Sequence, residues 1–80
     1  MQHVVYVLKS LRDGKRYIGY TNNLERRVKE HNDGLVKSTR FRRPLEIIYK
    51  EEFDSKVEAT KREIFFKSGK GREFLNQKLL

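Results

Sequence analysis

The chain contains no cysteine. Neither a disulfide frame nor a thiolate zinc site is open to it, so stability must come from packing. It has no long apolar run either. The longest, Val4 to Leu8, is too short to cross a bilayer or to form a signal-peptide core. A cytoplasmic protein is therefore expected. Familiar catalytic signatures are missing too: there is no GxxxxGK phosphate loop, no HExxH, no Asp-x-Asp cluster and no serine nucleophile elbow. Histidine is scarce, with only His3 and His31 present. A ribonuclease built on two histidines would need His3, which sits at a terminus where chains fray. No repeat, low-complexity segment or linker divides the chain, so residues 1–80 read as one small domain.

What is present is charge and a compact set of aromatics. A chain of 80 residues buries only about 60–65% of its unfolded surface, so its core is thin. Charged residues make up 38%, and 19 Lys and Arg against 11 Asp and Glu give a net charge of +8. Such an excess favours a polyanionic partner, nucleic acid first and an anionic membrane second.

His3 to Leu8 reads as a strand, with Val4, Tyr6 and Leu8 on one face and Val5 and Val7 on the other. Asp13-Gly14 signals a turn, and Arg16 to Tyr20 reads as the returning strand with Tyr17 and Gly19 on one face. A glycine inside a strand marks close approach of another backbone or a ligand. Asn22-Asn23-Leu24-Glu25 opens a helix, with Asn22 as cap and Glu25 at the capping-box position. Leu24, Val28 and His31 fall on one stripe of it with Arg27 alongside, and Asn32-Asp33-Gly34 stops it. Lys37 to Pro44 is a connector with cations and no acid. Leu45 to Phe53 reads as a third strand that places Leu45, Ile47 and Tyr49 on one face. Ser55-Lys56-Val57-Glu58 is a second capping box opening a helix to about Lys67, on which Ala59, Glu63 and Phe66 lie together. Ser68-Gly69 ends it, and Gly71 to Leu79 reads as a short last helix. The expected fold is α/β, a small three-stranded and at least partly antiparallel sheet in β-β-α-β-α-α order, flanked by helices.

Three features stand out in order along this scaffold. Tyr17-Ile18-Gly19 ends a strand; Asn23-Leu24-x-x-Arg27 and then His31 follow on the next helix; Glu58-Ala59-Thr60-Lys61-Arg62-Glu63 lies on a later one. Together with Val4-Val5-Tyr6, this ordered set resembles the GIY-YIG nuclease family over nearly the whole chain. The likeness is to its small single-domain bacterial members, related to the N-terminal nuclease domain of excinuclease. Val4 stands where the family has the first glycine of its name, and Tyr20 stands where the excinuclease relatives often carry lysine.

The resemblance implies a Mg²⁺-dependent endonuclease, with Mn²⁺ as a substitute, acting on nucleic acid, DNA more than RNA. Tyr6 and Tyr17 would then line a catalytic site rather than fill the core. Arg27 would grip the scissile phosphate, His31 would carry a proton or bind phosphate, and Glu63 would hold the metal. Tyr20 and Asn76 are possible additions. Glu58 needs no such role, since capping explains it. Lys37, Arg40, Arg42 and Arg43 around Phe41 could track a strand, with Phe41 stacking on a base, or simply form a solvated connector. Lys67, Lys70 and Arg72 could supply a second phosphate contact. The competing function is a basic DNA- or RNA-binding module that keeps the fold without turnover.

Overall fold

The run Val4–Leu8 is apolar at every position, the pattern of a strand covered on both faces. In the computed structural model, which describes residues 2–79, β1 (His3–Ser10) is the central strand and Val5, Tyr6, Val7 and Leu8 are fully buried. β2 (Arg16–Thr21) and β3 (Leu45–Phe53) flank it in the order β2-β1-β3, and both pairings are antiparallel. The β1–β2 turn uses Gly14 at φ 72°, a left-handed conformation that favours glycine. Asp13 Oδ1 accepts from the Lys15 amide at 2.9 Å and closes the turn.

The helices divide between the two faces. α1 (Leu24–Asn32) covers the face of Val4, Tyr6, Leu8 and Leu45, where Tyr17, Leu24 and Val28 pack. α2 (Lys56–Phe66) and α3 (Gly69–Lys78) cover the face of Val5 and Val7 through Ala59, Phe66 and Leu75. The element order is the expected one.

Three local expectations need correction. The cap of α1 is Asn23, whose side chain accepts from the Arg26 amide; Asn22 lies outside and Glu25 is not placed for a capping box. On β3, Leu45 and Tyr49 do not share a face. Val7 pairs with Tyr49 and Leu8 with Ile47, which leaves Ile48 unpaired between them as a bulge. The extra residue inverts the alternation, so Leu45 joins the α1 face while Tyr49 joins Val7 and Phe66. Finally, α3 begins at Gly69 rather than Gly71, because Ser68 ends one helix and caps the next. Ser55 caps α2 as expected, accepting from the Glu58 amide at 3.3 Å, and Lys67 follows as the C-cap.

Arg62 fastens α2 to β3 and α3. Its guanidinium donates to Glu51 at 2.8 and 3.3 Å and lies 4.7, 4.7 and 4.8 Å from the rings of Phe65, Phe66 and Phe74. Tyr49 donates to the same carboxylate at 2.6 Å. Burial pushes the Glu51 carboxyl upward, but hydrogen bonds from Arg62 and Tyr49 outweigh it and hold it below its usual range. Replacing Arg62 with alanine strips the rings of their cation and leaves Glu51 half-buried without its partner. Arg62→Ala is expected to cost about 2–3 kcal/mol in urea unfolding. A loss within about 0.5 kcal/mol, the range of ordinary surface substitutions, would show that the cluster is incidental.

Candidate active site

β2 is an edge strand, and Gly19 stands in its outer half opposite Tyr6. A methyl group built on Gly19 would fall on the hydroxyl and ring of Tyr6, whose phenol therefore lies directly against the β2 backbone. The glycine serves a close approach, as its place in a strand suggests, and the approaching group is the Tyr6 side chain.

From there the Tyr6 hydroxyl meets His31 Nε2 at 3.0 Å, and His31 Nδ1 meets Thr39 Oγ1 at 2.7 Å. Tyr6, His31 and Thr39 are each 0% exposed. A buried neutral imidazole has one donor and one acceptor nitrogen, and two hydroxyls satisfy both. Among the described residues no buried side-chain nitrogen or oxygen is left without a partner. The rings interlock as well. Tyr17 packs edge-on against His31 at 4.9 Å between centroids, and Tyr6 lies 5.8 Å from His31 and 6.3 Å from Tyr17.

Charges gather around this phenol. Burial raises the Tyr6 pKa; the adjacent Arg27 guanidinium lowers it, while the charges of Tyr17 and Glu63 add to the rise. Arg27 is held above its usual value by its contact with Tyr6 and by Glu30, to which Nη1 donates at 3.3 Å. Residues far apart in the chain thus meet: Tyr6 and Tyr17 from two strands with His31 from α1, and the Arg27 guanidinium beside the Tyr6 phenol; Glu63, on α2, acts on that phenol only through its charge. They differ in access. Tyr6 and His31 are enclosed, whereas Tyr17, Arg27 and Glu63 are partly exposed.

The additional residues border this cluster without bonding to it. Tyr20 points to the other face of the sheet, where its hydroxyl meets His3 Nδ1 at 2.7 Å and the two rings stack. His3, expected to fray, is held in β1 by that bond. Asn76 sits on α3 and accepts from Arg16 Nη1 at 2.8 Å, in a cleft shared with Tyr17. The connector is bolted to the β1–β2 turn. Arg42 donates to Asp13 at 3.2 Å and to the Arg16 carbonyl at 3.4 Å, Arg12 donates to the Phe41 carbonyl at 3.1 Å, and Arg43 donates to the Arg40 carbonyl at 2.7 Å. Phe41 is 71% exposed with the Arg40 guanidinium 4.9 Å from its ring, and Lys37, Lys70 and Arg72 are exposed.

Sequence reasoning missed Thr39. It lies inside the cationic connector and nothing in its neighbours marks it. The signal lay in His31: a histidine on a buried stripe needs two partners, and only one tyrosine was in view. Lys15 and Arg16 were missed as turn-flanking cations, yet they line the cleft beside Tyr17.

The family resemblance assigns a metal to Glu63. Among the described residues no group of three or more His, Cys, Asp and Glu is placed to hold an ion. Glu30 is paired with Arg27 at 3.3 Å, and Glu63, whose charge acts on Tyr6, is paired at 3.0 Å with the more exposed Lys67. One carboxylate does not suit zinc, which takes nitrogen and sulfur ligands. It does suit a hard cation that keeps most of its water and completes its shell with phosphate oxygens.

A family model described as the GIY-YIG catalytic domain matches residues 2–77. The chain belongs to the GIY-YIG family. It is 53% identical over 66 residues to a UPF0213 protein of Bacillus licheniformis, which covers 81% of this chain and 67% of that one. It is 50% identical over 66 residues to the UPF0213 protein YazA of Bacillus subtilis, covering 81% of this chain and 66% of that one. The chain thus spans about two thirds of these relatives' length. The solution NMR structure of a UPF0213 protein from Bacillus halodurans matches with a TM-score of 0.59 at 39% identity, covering 96% of this chain and 84% of that chain. That match carries the same α/β architecture, and the relatives place the chain among small GIY-YIG proteins. GIY-YIG membership supports a nuclease-like role on nucleic acid, in a family that is generally metal-dependent. No helix among the described residues is long and apolar enough to cross a membrane.

Burial gives His31 a measurable signature. Burial first, and the Arg27 charge second, lower its pKa from 6.5 to about 4. The unfolded chain then takes up a proton that the folded chain refuses. Stability from this group is complete above about pH 6.5 and is lost as pH falls toward 4, a change on the order of 3 kcal/mol. An NMR titration of the imidazole is expected to show a midpoint near 4. A midpoint at the ordinary histidine value would mean that the ring is not held neutral between the two hydroxyls.

Proposed function

We propose that the protein is a Mg²⁺-dependent endonuclease, with Mn²⁺ as a substitute, that hydrolyses a phosphodiester in structured or single-stranded DNA. DNA is favoured over RNA, and the setting is cytoplasmic DNA repair or recombination. The observation that carries the reading is the buried Tyr6–His31 hydrogen bond, with the Tyr17 ring packed against His31 and the Arg27 guanidinium beside the Tyr6 phenol. A core that only needed filling would not set a guanidinium beside a buried phenol.

Access divides the work. Tyr17 reaches solvent and meets the attacking water, which it orients and relieves of its proton. Arg27 sits beside it with a planar fork suited to two phosphate oxygens, and it offsets the negative charge that builds in the transition state. Glu63 is the group that would hold the metal, displacing the Lys67 ammonium. When bound, the ion supplies Lewis-acid stabilisation of the phosphate and leaving oxygens. Tyr6 and His31 act through these groups: their hydrogen bond fixes the ring against which Tyr17 packs and the phenol beside which Arg27 lies. The surface left for base contacts is small, so recognition rests on backbone charge and strand structure.

A nicking assay on branched, single-stranded and duplex DNA with Mg²⁺ or Mn²⁺ tests this. Tyr17→Phe and Glu63→Ala are each expected to lower the rate by about 10²-fold or more while leaving the protein folded. Should the wild type leave every substrate intact in both metals, yet bind them with steep salt dependence, the fold serves as a binding module and the enzyme reading falls.

A further inference from the structure

A cleft of about 630 Å³ opens beside Tyr17 between the start of β2 and the α2–α3 corner. Lys15, Arg16, Lys67, Arg72 and Asn76 line it with Tyr17, and no carboxylate does. Asn76 has already given its oxygen to Arg16, which leaves its amide hydrogens outward. Lys15 and Arg72 have no carboxylate partner among the described residues. Polar side-chain chemistry in the cleft is therefore almost wholly donor and cationic. The ligand that suits it is an acceptor-only anion, and the fork of Arg16 fits a tetrahedral oxyanion.

Position makes the choice narrower. β2 is the open edge of the sheet, and three features lie along it in order. The cationic cleft is at Lys15–Ile18, the Tyr17–Gly19 cluster follows, and a second cleft lies at Tyr20 and Thr21 with Arg26, Arg27, Glu30 and Lys56. At a strand rise of about 3.3 Å per residue, Arg16 and Gly19 are about 10 Å apart, near enough for one extended strand to touch both. The second cleft carries Glu30, so its sign is mixed; every charged residue lining the first is cationic, and only Lys67 among them is paired with a carboxylate, Glu63. We infer that the Lys15–Arg16–Lys67–Arg72 cleft is a phosphate subsite that seats a backbone phosphate neighbouring the one presented to Tyr17 and Arg27. This rests on the nuclease reading for which bond is cut, but not for whether the cleft binds phosphate. It assigns recognition to the β2 edge rather than to the connector, where Arg42 and Arg43 already donate to the protein itself.

The test is binding without turnover. Anisotropy of a labelled single-stranded phosphorothioate oligonucleotide in chelator, over a range of salt, compares the wild type with Lys15→Ala/Arg72→Ala. The charge-matched control is Lys50→Ala/Lys78→Ala, outside the cleft: Lys50 is in β3, the opposite edge strand, and Lys78 ends α3. Losing two single-strand phosphate contacts is expected to flatten the log–log salt slope by about 1.4 and weaken low-salt binding by roughly tenfold or more, with the control near wild type. Arg72→Glu alone, which changes the charge by the same two units, is expected to weaken binding comparably and guards against a misfolded double variant. Equal binding by the double variant and the control overturns the subsite. So does inorganic phosphate that displaces the oligonucleotide at equal phosphate concentration, since that would mean a site for the free ion. Cleft-dependent binding without any cleavage in Mg²⁺ removes the nuclease reading and leaves the subsite standing. Cleavage that is indifferent to the double variant does the reverse.

Discussion

The site depends on one close approach. Tyr6 can lie against β2 only because residue 19 has no side chain, and only from there does its hydroxyl reach His31. The pairing of β1 with β2 sets Tyr6 opposite Gly19, so the strand register delivers the phenol to its place. His31 then needs a partner for its other nitrogen, and the connector folds back to supply Thr39. A three-part hydrogen-bonded chain results, running from the central strand through α1 to the connector. It costs nothing in unpaired polar groups, which is what allows three polar side chains to sit in so thin a core.

Around that neutral, enclosed pair the charged groups remain partly wet. Arg27, Glu63 and Lys67 are held by single ion pairs of the kind that exchange readily with ions and ligands. The contrast with Arg62 is instructive. Its guanidinium is spent on Glu51 and three phenylalanine rings on the α2–α3 side of the sheet, and it serves cohesion. Two arginines with the same chemistry are thus assigned different work by what lies against them.

Strand and helix order was legible because β1 is apolar at each central position and the starts of α1 and α2 each carry a cap residue. The faces of β1 and β2 followed from alternation alone. β3 did not, because one unpaired residue, Ile48, inverts the pattern and leaves no mark in composition. Ser68 was read as a stop when it also serves as a start, and Asn22 was chosen over its neighbour Asn23. Such errors arise where two adjacent residues share one propensity and packing selects between them. Of the candidate site, Tyr6 and Tyr17 come together with His31, and Arg27 lies beside Tyr6, as the family-like spacing suggests, while Glu63 reaches that phenol only through its charge. Their unequal burial was not readable, nor was Thr39, because both depend on how the connector closes over α1. The cationic cleft was half-read: Lys67 and Arg72 were noticed, but Lys15 and Arg16 join them only through the fold.

The most direct measurement is a crystal structure with Mn²⁺ and a non-cleavable dinucleotide phosphorothioate, with the metal located by its anomalous signal. The account predicts the ion on Glu63 and the phosphorus within reach of both Tyr17 Oη and the Arg27 guanidinium, with Lys67 released from the carboxylate. A metal-free Glu63 still bound to Lys67, and a phosphate seated on the connector around Phe41, would contradict it.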